Sequence, residues 1–250
     1  MILLMKKFTC CLLKTMLVHQ AKSSATEFLA LLVYVDDVLI TGTREDSILL
    51  VKKQLDAKFT IKDLGYMKYF LGLEIARSTD SMLIHQQKYV LDITQDTGLS
   101  GCKPALFPLP KGLKLNDESG DLLLDPNVYR RLLGKLLYLT IRRPDLSYAV
   151  QCLSQFMSSP RKPHIEVALH VVRYLKRSPA KGLYFPVQSD LSLRANCDTD
   201  WGTRLMNKRS LTGYCIFLGS SLISWKSKKQ AIVFKILCRG RVQEHVYYCL

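Results

Sequence analysis

The chain has 250 residues, 48% of them hydrophobic, and a formal net charge of +15. That apolar share fills a packed core and excludes a disordered chain, and the length suits one large or two modest domains. The positive excess is spread along the chain, which points to a polyanionic partner met along a broad groove and not through a basic tail.

Residues 1–27 carry no usable pattern. Phe28–Val35 and Val38–Thr41 are apolar runs rich in β-branched and aromatic residues, the composition of buried strands. Between them stand Asp36 and Asp37, so the reading is a tight hairpin with both carboxylates at its tip. Two adjacent carboxylates repel unless a cation lies between them, and hard divalent cations take such oxygen ligands. A solvated turn is the ordinary alternative for the pair alone. Thr43 reads as a helix N-cap with Asp46 three residues on, followed by Ile48, Val51, Leu55 and Phe59 at helical spacing.

Tyr69–Ile75 is apolar around Gly72, which suits a second hairpin. Met82–His85 reads as a short strand. Gln87–Thr97 reads as a helix with Tyr89, Val90 and Ile93 inward, stopped by Gly98. Prolines and glycines make 101–127 a linker and the best internal boundary. Helical periodicity returns at Tyr129, with Leu132, Leu133, Leu136 and Leu137 in one stripe. Pro144 stops that helix and opens the next, and a third begins near Pro163. Basic residues gather on these helices, among them Arg130, Arg131, Arg142, Arg143, Arg173 and Lys176. A solvated basic face and a phosphate-contacting face both fit that clustering. His164 and His170 lie six apart, off a common face, and read as surface or boundary residues without a ligand role. Leu191–Asp198, Thr212–Gly219 and Leu222–Ser227 read as three strands.

Eight scattered cysteines include no C-x-x-C pair, so no zinc framework is indicated. Without a secretory signal they read as reduced thiols of an intracellular protein, cytoplasmic or nuclear. No stretch is long enough for a transmembrane helix, so no membrane role is expected.

Several segments carry a resemblance. Tyr34-Val35-Asp36-Asp37, set in A-L-L-V-Y-V-D-D-V-L-I-T-G, resembles the Y-V-D-D signature of the reverse transcriptases of copia-type long-terminal-repeat retrotransposons. Further segments resemble that family in order, including Lys68–Ile75, Tyr129–Gly134, Arg143–Val150, Val172–Lys176, Arg209–Tyr214 and Ser224–Gln230. The resemblance covers residues 19–233.

The resemblance implies an α+β fold. A partial reverse-transcriptase palm of antiparallel hairpins and the start of a thumb span 28–100, after an unpatterned 1–27. A helical thumb and connection follow the 101–127 linker at 128–182. A partial three-stranded ribonuclease H-like region spans 190–233, and a tail unlike the family fills 234–250. The implied parental activity is RNA-directed DNA synthesis with magnesium, or manganese, held by Asp36 and Asp37. Tyr34 would lie by the primer end and Phe70, Leu71 and Gly72 in a primer grip. Asp198 would bind metal in the ribonuclease H part. The implied partner is an RNA–DNA or DNA duplex, without sequence preference.

The chain also departs from that pattern. No Asp occurs from Met1 to Val35, and Glu27 is the only acid there, so the earlier metal-binding Asp of the family has no counterpart. Glu244 is the only acid after Asp200, so the later ribonuclease H Glu is missing as well. These departures imply a fragment that is inactive alone. A non-catalytic nucleic-acid binder and an inert transposon relic are the other readings.

Overall fold

The computed structural model describes residues 2–7, 17–20, 28–59, 61–113, 115–200, 211–229 and 243–244. Within them it is a mixed α/β chain with antiparallel sheets, and it divides into two units, Met1–Leu71 and Gly72–Leu250.

The first unit is built on β1 (Ile2–Lys7), β2 (Leu17–Gln20), β3 (Leu29–Tyr34), β4 (Asp37–Gly42), α1 (Glu45–Lys58) and β5 (Ile61–Tyr66), and it ends on β6 (Tyr69–Phe70). One five-stranded sheet has the order β2-β3-β4-β1-β5. Strand residues alternate between faces, so β4 buries Val38, Ile40 and Gly42 and turns Asp37, Leu39 and Thr41 the other way. Val33 stands opposite Val38 and Leu31 opposite Ile40. These side chains pack with Ile48, Val51 and Leu55 of α1 and form the unit's core. The expected cap on α1 is not made. Arg44 holds the N-cap position, and its side chain makes no capping bond there. The Thr43 hydroxyl instead accepts from the Phe28 N–H at 3.1 Å, clamping the open end of the hairpin.

The second unit begins with β7 (Leu73–Arg77), β8 (Ser81–His85) and α2 (Gln87–Asp96). A loop follows, then α3 (Pro126–Leu139), α4 (Ser147–Leu153) and α5 (Lys162–Arg177). The last elements are β9 (Leu183–Pro186), β10 (Leu193–Asp200), β11 (Leu211–Leu218), β12 (Ser221–Lys229) and β13 (Gln243–Glu244). β8 pairs with β7 and β9. β12-β11-β10-β13 make a four-stranded antiparallel sheet.

The helical period explains the core of this unit. Tyr129, Leu132, Leu133, Leu136 and Leu139 face inward along α3 and meet Val150 and Leu153 of α4 and Ala168, Val172 and Leu175 of α5. Leu137, expected in that stripe, is exposed, and Leu139 fills the place. Asp125 caps α3 by accepting from the Asn127 N–H at 2.9 Å, with Pro126 at the first helical position. Pro144 opens a short 3-10 turn that runs into α4. The expected linker 101–127 ends inside α3, at Pro126–Asn127; its described residues before that hold no helix or strand and separate nothing. It lies inside the second unit and packs Leu109, Leu113, Leu115 and Leu123 on the helical core.

His164 is 1% exposed, which corrects its assignment to the surface. Its Nδ1 accepts from the Arg161 N–H at 3.0 Å, and its Nε2 lies 3.0 Å from the Asn116 carbonyl. Its ring stacks on Phe156 at 3.9 Å. A neutral ring with its proton on Nε2 satisfies both bonds, and burial pushes its pKa down.

Gly182 precedes β9 where the chain closes on β8. A Cβ there would lie 2.0 Å from the Ile84 carbonyl oxygen, so no other residue fits without moving backbone.

The segment 234–250, unlike the family in sequence, still contributes β13 to the last sheet. Glu244 pairs with Ala195 and Gln243 with Asn196, extending the edge of β10. A bare edge strand leaves backbone groups unpaired, and even two residues satisfy some of them. Residues 234–242 and 245–250, the rest of the expected tail, lie outside the described residues, as do 230–233.

Candidate nucleic-acid and metal site

The β3–β4 hairpin ends on the pair Tyr34 and Asp37, and the two-residue turn is Val35–Asp36. The expectation that Asp36 and Asp37 together form the tip is therefore corrected. Only Asp36 is in the turn, while Asp37 opens β4. The cause is register: the Thr43 N–H donates to the Phe28 carbonyl at 2.9 Å and fixes the open end. Val35 adopts φ 51, a left-handed conformation that a β-branched side chain enters only under strain.

Alternation then decides what each side chain does. Val33 and Val38 face α1, so Tyr34 and Asp37 share the opposite face of the sheet. Tyr34 is exposed, and so is Asp36. Asp37 is half-buried, and its Oδ1 is fully buried without a hydrogen-bond partner. A buried carboxylate oxygen left unpaired costs on the order of 1–3 kcal/mol or more, and a cation bound beside it removes that cost.

Two carboxylates, one carrying an orphaned oxygen, suit magnesium or manganese, which take oxygen ligands and keep several waters. No group of three His, Cys, Asp or Glu side chains gathers among the described residues. The pair therefore fits a share of a cation's shell and not a closed cage. Sequence reading missed the neighbour of this pair. β1 lies beside β4 and places Lys6 at the register position opposite Asp37. The run Ile2–Met5, ending in Lys6-Lys7, is the signal that marks such a strand.

The other expected contact residues fall in different settings. Leu71 and Gly72 form a turn with φ 49 and 75, and Leu71 is exposed while Phe70 is buried. Arg131 is exposed on α3. Arg130 donates to the Met157 carbonyl at 2.9 Å and the Ser158 carbonyl at 3.2 Å, closing the end of the α4 segment. Arg173 donates to the Lys103 carbonyl at 3.0 Å, and Lys176 to those of Ser100 and Cys102 at 2.5 and 2.6 Å. Both fasten the loop to α5. Asp198 pairs with Gly213 through the backbone of β10.

Arg143 is 2% exposed, and a phosphate-contacting role for it is corrected by that burial. It donates to both Asp145 oxygens at 3.0 and 2.9 Å and to the Ser178 carbonyl at 3.0 Å. Tyr174 and Lys181 also donate to Asp145, at 2.7 and 3.2 Å. Burial alone raises the Asp145 carboxyl, but the Arg143, Tyr174 and Lys181 donors outweigh it and hold the pKa at about 2. This bond set joins the α3–α4 turn to the end of α5.

The family described as reverse transcriptase (RNA-dependent DNA polymerase) matches residues 4–111. An uncharacterized mitochondrial protein of Arabidopsis thaliana is 41% identical over 204 residues, covering 81% of this chain and 84% of that protein. The retrovirus-related Pol polyprotein from transposon RE1 of Arabidopsis thaliana is 40% identical over 80% of this chain. The corresponding polyprotein from transposon TNT 1-94 of Nicotiana tabacum is 33% identical over 86% of this chain. The chain spans 14% of the first polyprotein's length and 17% of the second's. No solved structure matches. No helix among the described residues is long and apolar enough to cross a membrane.

Proposed function

We propose, from the premise that this chain belongs to the reverse transcriptase family of copia-type transposon Pol polyproteins, that it carries the carboxylate hairpin of a two-metal polymerase centre. The observation that carries the reading is the shared face of Tyr34 and Asp37, with the orphaned Asp37 Oδ1 on it. Asp36 and Asp37 would hold magnesium or manganese, which in such a centre activates the primer hydroxyl and stabilises charge on the transferring phosphate. Tyr34, exposed beside them, is placed to meet the primer end, and the Leu71–Gly72 turn is read as part of its grip. The partner is an RNA–DNA or DNA duplex, held through its phosphates by basic side chains and so without sequence preference. The β10–β12 strands are read as ribonuclease H-like, with Asp198 as a metal ligand.

The 250 residues alone are read as binding without synthesis. Two metal ions need several carboxylates, and the strand next to the hairpin offers Lys6, not an acid, opposite Asp37. Primer extension on an RNA template with magnesium or manganese tests this. No extension is expected. Extension abolished by Asp36→Asn would overturn the inactivity and confirm the metal role together. A filter-binding titration tests the partner: affinity should fall steeply with salt, and a flat salt response would remove nucleic acid from the reading.

A further inference from the structure

Inside the second unit an open cleft of about 490 Å³ lies between the end of α3, the start of α4 and β12. Its size falls among ordinary ligand sites and exceeds what a lone phosphate fills. Two cations line it, Arg142 and Lys226, and no carboxylate does. Hydroxyls of Ser147, Ser224 and Ser227 line it as well.

The charge is uncompensated. The Arg142 guanidinium donates to the carbonyl of its own neighbour, Ile141, at 2.8 Å, and neither Arg142 nor Lys226 makes an ion pair among the described residues. Burial pushes the Arg142 pKa down, against an opposing pull from Tyr138, in keeping with a guanidinium partly withdrawn from water. Arg143, one residue on, is the contrast: its donors go to Asp145 and Ser178. The walls are also fixed to each other, because the Trp225 indole N–H donates to the Thr140 carbonyl at 2.9 Å. A prearranged cleft with a guanidinium, an ammonium and hydroxyl donors matches phosphate oxygens.

We infer that this cleft binds the phosphodiester backbone of a nucleic-acid strand, with Arg142 and Lys226 on the phosphates. The exposed Ile141 and Ile223 at its lining suit the apolar faces of the sugars and bases on either side, which a free phosphate does not offer. The inference rests on the reading of this chain as a nucleic-acid binder and gives that binding a place.

The test is fluorescence anisotropy of the full chain with a labelled RNA–DNA duplex across salt concentrations. The double variant Arg142→Gln/Lys226→Gln should bind about tenfold more weakly at moderate salt, with a log–log salt slope shallower by about 1.8, two contacts at about 0.9 each. Ser224→Asp places a carboxylate in the cleft. It should weaken binding while keeping or raising the melting temperature, which separates loss of the site from loss of the fold. Wild-type binding that both variants leave unchanged overturns the cleft and leaves the general reading standing. Absence of salt-dependent binding by the wild type overturns both. Displacement of the duplex by millimolar inorganic phosphate, or by an acidic peptide but not by unlabelled RNA, overturns the nucleic-acid backbone as the ligand.

Discussion

The hairpin sheet and the helical core use apolar residues to different ends. Among the described residues, the first unit fully buries Val38, Ile40 and Ile48 around α1, while sixteen buried residues interlock in the helical core of the second. The small core leaves one face of its sheet to Tyr34, Asp37 and an unpaired oxygen, and it ends its hairpin on a strained Val35. The second unit leaves the buried Gln86 Oε1 unpaired ahead of α2, but its helical core pairs Tyr129 and His164. Even its buried charge, Arg143, is bonded on every side. The strained Val35 and the orphaned Asp37 oxygen both lie at the hairpin where function is read.

The difference can be broken most severely at Arg143. Arg143→Met leaves Asp145 buried without its main partner, and removal of one member of such a pair costs about 3–5 kcal/mol. Hydrogen exchange read segment by segment should show α3–α5 losing protection while β3–β4 keeps its own. Equal losses in both units would show that they unfold as one. Next come the cores themselves. Leu133→Ala and Ile40→Ala should each cost about 2–5 kcal/mol. The helical unit should survive the loss as a folded unit, and the smaller hairpin core should not. Retention of β3–β4 amide protection in Ile40→Ala would contradict this.

Acid sharpens the same contrast. The Asp145 pKa is held at about 2 against an ordinary 3.8. Its contribution is therefore present above pH 3.8 and is lost as pH falls through about 2, amounting to about 2 kcal/mol. His164 is also depressed, so its neutral form favours folding, and that contribution declines as pH drops below its ordinary 6.5. Melting temperatures of the helical unit should fall in two acid steps. Asp145→Asn should abolish the lower one. The smallest effect is expected at the turn. Val35→Gly removes a left-handed β-branched residue and should stabilise the hairpin by about 1 kcal/mol. A loss in stability would mean that the Val35 side chain makes contacts worth more than its strain.

Much of this was legible in the sequence where one period or one residue type dominates. The stripe from Tyr129 to Leu136 marks α3, and the apolar runs around Asp36 mark the hairpin. The turn was read one residue late because register is set by Thr43 and Phe28, fifteen positions apart and outside the local pattern. β1 and β2 are short and carry no alternation; the apolar run Ile2–Met5 marks β1 only faintly, and pairing places both. Arg143 read as a surface cation because burial of an arginine depends on Asp145, Ser178 and Tyr174 converging from three places. The face that joins Tyr34 to Asp37 follows from alternation only once the hairpin register is fixed. The orphaned Asp37 oxygen does not, since it depends on packing.

Gly182 gives the gene a gauge of selection. Any change at the first or second position of a glycine codon replaces the residue, and every replacement drives a side chain into the Ile84 carbonyl. Copies that drift without a folded product have no reason to spare this codon, while copies whose protein must close β9 onto β8 lose that product when it changes. Sequencing related copies and comparing substitutions at Gly182 with those at Gly101, where a side chain meets open space, would tell a decaying transposon remnant from a protein still held to its fold.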